Sequence, residues 1–160
     1  MQKISVLLLI VGISFVFSGC PYESAVPIDQ PSMKISRLLL GKWKTAKDPE
    51  IYTVTRTDEF NYRIEEKTEK ETSYYRGYLS KVNDILFLTL VMEKDAEKKY
   101  SFAKIDINAN ATKVTLSFMS DEIKEKFKSS DDLKSFILKN IAQSNFYEKE
   151  MLEFARQTNE

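Results

Sequence analysis

From Leu38 onward the chain is written largely in a two-residue period, and nothing else in it constrains the fold as much. Phe60, Tyr62 and Ile64 oppose Asn61, Arg63 and Glu65, an alternation that builds a half-buried strand and cannot line one face of a helix. Residues 51–57 place Tyr52 and Val54 on one face, and residues 113–120 do the same with Val114, Leu116 and Phe118. In residues 73–81, Tyr75, Gly77 and Leu79 share one side while Tyr74, Arg76 and Tyr78 share the other. Residues 85–92 are apolar almost throughout, which predicts burial of both faces. Residues 43–47 form a first strand. Residues 99–107 begin with Tyr100 and Phe102 and then shift phase to Ile105 and Ile107, predicting a bulge near Ala103. Asp48-Pro49, Asp58-Glu59, Asn83-Asp84 and residues 108–111 supply turns, and the charged stretches 67–72 and 93–98 supply loops.

After residue 120 the period changes. Ile123 and Phe127 lie four apart and predict a short helix over 121–128. Ser130 can cap a longer one, with Asp131 and Asp132 in its first turn and Leu133, Phe136, Ile137 and Ile141 along one stripe to about residue 144. In the tail, Leu152 and Phe154 alternate with Glu153 and Ala155, which favours a closing strand over continued helix. The expected fold class is therefore mainly β with a C-terminal α element: an antiparallel meander of about eight strands, with a short and a longer helix before the last.

Composition removes several kinds of chemistry. The chain has no histidine and one cysteine, so the usual zinc, copper and haem ligands are missing, and with them His-dependent nucleophilic triads. The 24 basic and 24 acidic residues balance without a long block of one sign, which argues against a nucleic-acid surface. Glu65-Glu66 and Asp131-Asp132 are sequence neighbours and read as solvated carboxylates, unlike the paired acids that face each other across a glycosidase cleft. There is no phosphate-cradling glycine loop or nucleophile elbow. No cofactor, metal or catalytic residue is expected, and the protein is read as acting by binding.

The first residues carry an address. Lys3 precedes an apolar run from Ile4 to Phe17, and Phe17-Ser18-Gly19-Cys20 ends it with small residues ahead of the lone cysteine. The run is nearer 14 than the about 20 apolar residues a bilayer span needs. This resembles a bacterial lipoprotein signal peptide with its lipobox, although Phe17 stands where Leu is usual. The resemblance implies cleavage between Gly19 and Cys20, a diacylglyceryl group on the Cys20 thiol and usually an acyl (palmitate-type) chain on its freed amine. It places the domain outside the cytoplasm, lipid-anchored in the cell envelope. Pro21, in place of a retaining Asp, favours the outer membrane. Residues 1–19 are the expected signal peptide, 20–37 an extended, flexible tether carrying Pro21, Pro27 and Pro31, and 38–160 a single β domain.

One short motif bears on the domain. Leu39-Leu40-Gly41-Lys42-Trp43 is similar to the Gly-x-Trp that opens the first strand in lipocalins and their relatives. That resemblance implies a closed barrel whose Trp43 plugs one end, with Arg156, near the end of the last strand, lying over it. The alternative is that Trp43 is simply a core aromatic at the start of a sheet. A lipocalin-like barrel implies a small apolar ligand or lipid, for which Tyr52, Tyr62, Tyr75 and Phe87 are candidate lining residues; core and cross-strand packing explain the same residues. The other function class is a protein-interaction module, an envelope-complex subunit or enzyme inhibitor with a side-chain-filled barrel, using the outward set Tyr74, Arg76 and Tyr78.

Overall fold

Strand pairing in the computed structural model, which describes residues 20–45, 47 and 50–158, follows chain order around a full circle. The strands are β1 (Glu23–Ser24), β2 (Gly41–Thr45), β3 (Ile51–Arg56), β4 (Asn61–Lys67) and β5 (Thr72–Val82). They continue with β6 (Ile85–Met92), β7 (Tyr100–Ile107), β8 (Lys113–Phe118) and β9 (Leu152–Arg156). Each of β2 to β8 pairs antiparallel with the next, β8 pairs with β9, and β9 returns to β2 through Trp43 opposite Arg156. The result is a closed eight-stranded antiparallel barrel, with β1 paired onto β7 outside it. The tail is thus a strand, as its alternation predicts. Closure leaves no free edge within the barrel itself.

Two cores share the barrel wall. Inside lie Trp43, Tyr62, Leu79, Leu88, Ile105, Leu116 and Phe154. Outside, Val82, Phe87 and Phe102 on β5, β6 and β7 are covered by Tyr22 and Ile28 from the N-terminal segment and by Leu133, Ile137 and Phe146 from the C-terminal one. The one α-helix among the described residues, α1 (Ser130–Asn140), provides Leu133 and Ile137 from one face. Its cap is Ser129, one residue before the predicted Ser130: the Ser129 hydroxyl accepts from the Asp132 amide. Burial of β6 on both faces is therefore real.

Several expectations change here. The register of β7 against both neighbours runs without a slip from Tyr100 to Ile107, so there is no bulge at Ala103. The apparent phase shift has another cause. Ala103 and Ile105 pack inside the barrel, whereas Tyr100 and Phe102 pack in the outer core. Residues 121–128 form turns and irregular chain instead of a helix; Ile123 and Phe127 nonetheless pack against the outer core. Residues 20–37, read as a flexible tether, are fastened along the wall. The Tyr22 amide donates to the Met119 carbonyl, the Tyr22 hydroxyl to the Glu125 carbonyl, and the Tyr78 hydroxyl to the Asp29 carbonyl. The expected signal peptide, including Gly19 at its cleavage point, lies outside the described residues.

The end of the barrel at Gly41 is shut by a 3-10 turn, Arg37–Leu39, whose Leu39 is buried and whose Leu39 carbonyl accepts from the Trp43 indole at 2.9 Å. The Arg156 guanidinium lies 4.3 Å from the Trp43 ring centre. It donates to the carbonyls of Ala111 and Leu40, each at 2.8 Å, and to that of Leu38. Gly41 has φ +126°, and a Cβ there would stand 2.9 Å from Arg156 Nη1, so only glycine lets the arginine approach. Arg156→Ala is expected to cost about 3 kcal/mol, from charge-assisted hydrogen bonds and the cation over the indole. Arg156→Lys should recover less than half of it, since an ammonium lacks the planar fork. Urea unfolding followed by Trp43 fluorescence reads both.

Candidate functional site

The barrel interior is hollow towards the other end. A cavity of about 480 Å³ opens between the ends of β4, β6 and β8 and the starts of β3, β5, β7 and β9. Its inner wall is apolar, with Trp43, Val54, Ile64, Leu90, Leu116 and Phe154 among the lining residues. Strand alternation produces this wall: every second residue points in, and in β6 the inward set is Leu86, Leu88, Leu90 and Met92. A sealed dry void of that size would cost about 12 kcal/mol at the roughly 24 cal/mol per Å³ seen for core cavities. That rivals the entire stability of an ordinary domain, so the space is suited to water or a guest and not to vacancy.

One polar group is set into this wall near the mouth. Glu66, on the inward face of β4 after Tyr62 and Ile64, accepts from the Tyr52 hydroxyl at 2.7 Å and the Tyr75 hydroxyl at 2.9 Å. The Tyr52 hydroxyl also lies 2.8 Å from a Glu50 carboxylate oxygen. Two phenol protons thus serve three contacts with carboxylates. A hydroxyl donates one proton only, so the cluster has acceptor capacity left for one more donor. Tyr52 is held edge-on against Phe154, with ring centres 5.1 Å apart. Burial raises the pKa of Tyr52 well above 10, and the hydrogen bond to Glu66 raises it further. Tyr75 is raised by burial and then by the Glu66 charge.

Among the candidate lining residues, the structure places Tyr52, Tyr62 and Tyr75 on the cavity. Phe87 is instead fully buried in the outer core, because it is out of phase with Leu86 and Leu88. Tyr62 donates no wall to the mouth; it lies deeper, and its hydroxyl accepts from the Ser36 amide at 2.6 Å. The outward set also divides. Tyr78 is buried beneath the N-terminal segment, while Tyr74 stacks with the Arg63 guanidinium at 4.2 Å. Glu66 was missed by reading Glu65-Glu66 as a solvated pair. The phase of Tyr62 and Ile64 carries the signal that would have found it.

Cys20 is exposed and stands at the cavity mouth with Pro21, Glu23, Asp95 and Lys99. Among the described residues, no group of three or more His, Cys, Asp or Glu side chains is arranged to hold a metal ion. Within those same residues no helix is long and apolar enough to cross a membrane. No protein-family model matches the chain, and comparison with curated proteins and with solved structures finds no match either.

The tyrosines make a prediction about alkali. Tyr22, Tyr52, Tyr62, Tyr75 and Tyr78 are all raised, chiefly by burial, and Tyr147 is pushed up to about 12 for the same reason. Between about pH 10 and these values the folded chain binds more protons than the unfolded one, so stability is full below about pH 10 and falls as pH climbs through the raised values. Absorbance at 295 nm should show these six phenols ionising in a steep step that coincides with loss of near-ultraviolet circular dichroism. A smooth titration near pH 10 with the fold intact would contradict their burial.

Proposed function

We propose that this protein is a lipid-anchored lipoprotein of the cell envelope, acylated on Cys20, whose lipocalin-like barrel binds a small apolar ligand or lipid. The carrying observation is the apolar cavity of about 480 Å³ with a polar cluster, Tyr52, Glu66 and Tyr75, set into its wall near the mouth. Ligand pockets of a few hundred Å³ combine an apolar wall with a few convergent polar groups in this way. The resemblance to lipocalins is supported by the closed antiparallel barrel and by Gly41, Trp43 and Arg156 meeting at its shut end. The lipobox supports the anchor, and Pro21 after the cysteine favours the outer membrane.

The spare acceptor capacity at Glu66 sharpens the ligand class. An alkyl body fits the inner wall, and a polar end that donates, such as a protonated amine, suits the Tyr52–Glu66–Tyr75 cluster. Catalysis is not part of this reading: the function is binding. A filled-barrel interaction module draws less support, because the interior is open and Tyr78 of the outward set is covered.

A dansyl-labelled alkylamine should bind with enhanced emission and at least about tenfold more tightly than the matching carboxylate-headed probe, a difference of about 1.4 kcal/mol. Glu66→Gln should remove that preference, and Leu90→Trp, which fills the cavity, should abolish binding of both while circular dichroism stays unchanged. Failure of any alkyl probe to bind would sink the carrier reading. For the anchor, mass spectrometry of the membrane-derived protein should find acyl mass on Cys20, and Cys20→Ser should release the protein from membranes.

A further inference from the structure

Four of the six exposed large apolar side chains of the described residues stand at the mouth end of the barrel: Ile51 at 39%, Met92 at 43%, Met151 at 57% and Leu152 at 38% exposure. Ile51 begins β3, Met92 ends β6, and Met151 and Leu152 lead into and begin β9. Around the barrel these strands are spaced by three, three and two positions, so the apolar groups encircle the opening instead of clustering on one side. These exposed apolar groups share the end of the barrel at which the cavity opens.

Cys20 stands at the same end. The chain behind it is tied down at once: Tyr22 is 3% exposed, and its amide and hydroxyl are both bonded to distant carbonyls. Glu23 and Ser24 then pair with Ser101 and Tyr100 at the mouth end of β7. Had residues 20–36 been free, they could have spanned about 60 Å at roughly 3.5 Å per residue. Only Cys20 and Pro21 remain free, a reach of about 7 Å. A lipid on Cys20 therefore holds this end, and no other, at the membrane surface.

Several charges near the opening are matched to one another, while the Glu66 carboxylate is held by tyrosine hydroxyls. Lys99 meets Glu97 at 2.9 Å and Glu23 at 4.0 Å, and Lys47 meets Glu150 at 3.3 Å. The end is thus apolar at several points with charges between them, several of them paired, a composition compatible with the headgroup region of a bilayer.

We infer that the open end of the barrel is a membrane-seating face: the ring of Ile51, Met92, Met151 and Leu152 rests in the bilayer surface beside the lipid on Cys20, and the cavity opens directly onto the membrane. Its guest is accordingly a membrane-resident amphiphile that passes between bilayer and barrel without crossing bulk water. This rests on the proposal that Cys20 is acylated.

The test uses the full-length protein purified from membranes and reconstituted on vesicles of phosphatidylethanolamine and phosphatidylglycerol with brominated acyl chains. Ile51→Trp and Met151→Trp, neither of which lines the cavity, report the mouth; Leu38→Trp, 55% exposed beside the shut end, reports the opposite pole. After subtraction of the Trp43 background, the two mouth variants should be quenched at least twofold more than Leu38→Trp. Equal quenching at both poles, or none at the mouth, overturns the inference. Flotation and acyl mass on Cys20 are measured on the same preparations. Protein that floats and carries the acyl mass yet shows an unquenched mouth refutes the seating alone. Protein without acyl mass refutes the anchor, and the seating with it.

Discussion

The rest of the structure depends on one side chain finding its place from the far end of the sequence. Arg156 closes the circle of strands by lying over Trp43 while its guanidinium serves carbonyls on the 3-10 turn before β2 and on the loop before β8. Until β9 inserts between β8 and β2, both of those strands present unpaired edges and the inner wall lies open to water. The contact is also long-range, with Arg156 and Leu40 separated by 116 residues. Closure therefore carries a high loop-entropy cost, which must be met before the pairing rewards it.

A hollow barrel forfeits some of the interior contacts that a filled one would use, and the second core offsets that loss. Phe87, Phe102, Val82 and Met119 are fully buried on the outside of the wall by Leu133 and Ile137 of α1 and by Tyr22 and Ile28 of the N-terminal segment. Each such large side chain contributes about 1.5–3 kcal/mol on burial. This support is applied to β5, β6 and β7 from outside, so it leaves the space inside those strands free. The segment from Cys20 to Ile28 thus has a structural duty as well as a role at the cavity mouth.

Much of the barrel was legible because a strand's face is a local property. Tyr62 and Ile64, or Val114 and Leu116, announce their side within a few residues, and the last strand was visible in Leu152 and Phe154 for the same reason. What failed was non-local. The shift from Phe102 to Ile105 looked like a bulge because a second core on the outer face mimics a change of register. Phe87 was expected in the cavity because an apolar run does not say which face is which. Residues 20–37 carry no period, and only tertiary contacts such as Tyr22 with Met119 and Tyr78 with Asp29 hold them. Residues 121–128 have helical spacing but lie flat on the outer core, where packing of Ile123 and Phe127 outweighs propensity.

Glu66 shows how a site can hide in a correct strand. Its inward direction follows from the phase of Tyr62 and Ile64, yet a carboxylate beside Glu65 and Lys67 reads as surface. Placing it inside costs desolvation that only good hydrogen bonds can offset, and Tyr52 and Tyr75 supply two, from β3 and β5 on either side of β4. Three neighbouring strands thus each contribute one member, so the cluster is built by the sheet and not by a loop. Its position near the mouth, above an apolar wall, gives the cavity a direction: polar at the mouth, apolar within. With Cys20 at the same opening, that direction is also the axis along which an anchored barrel would meet a bilayer.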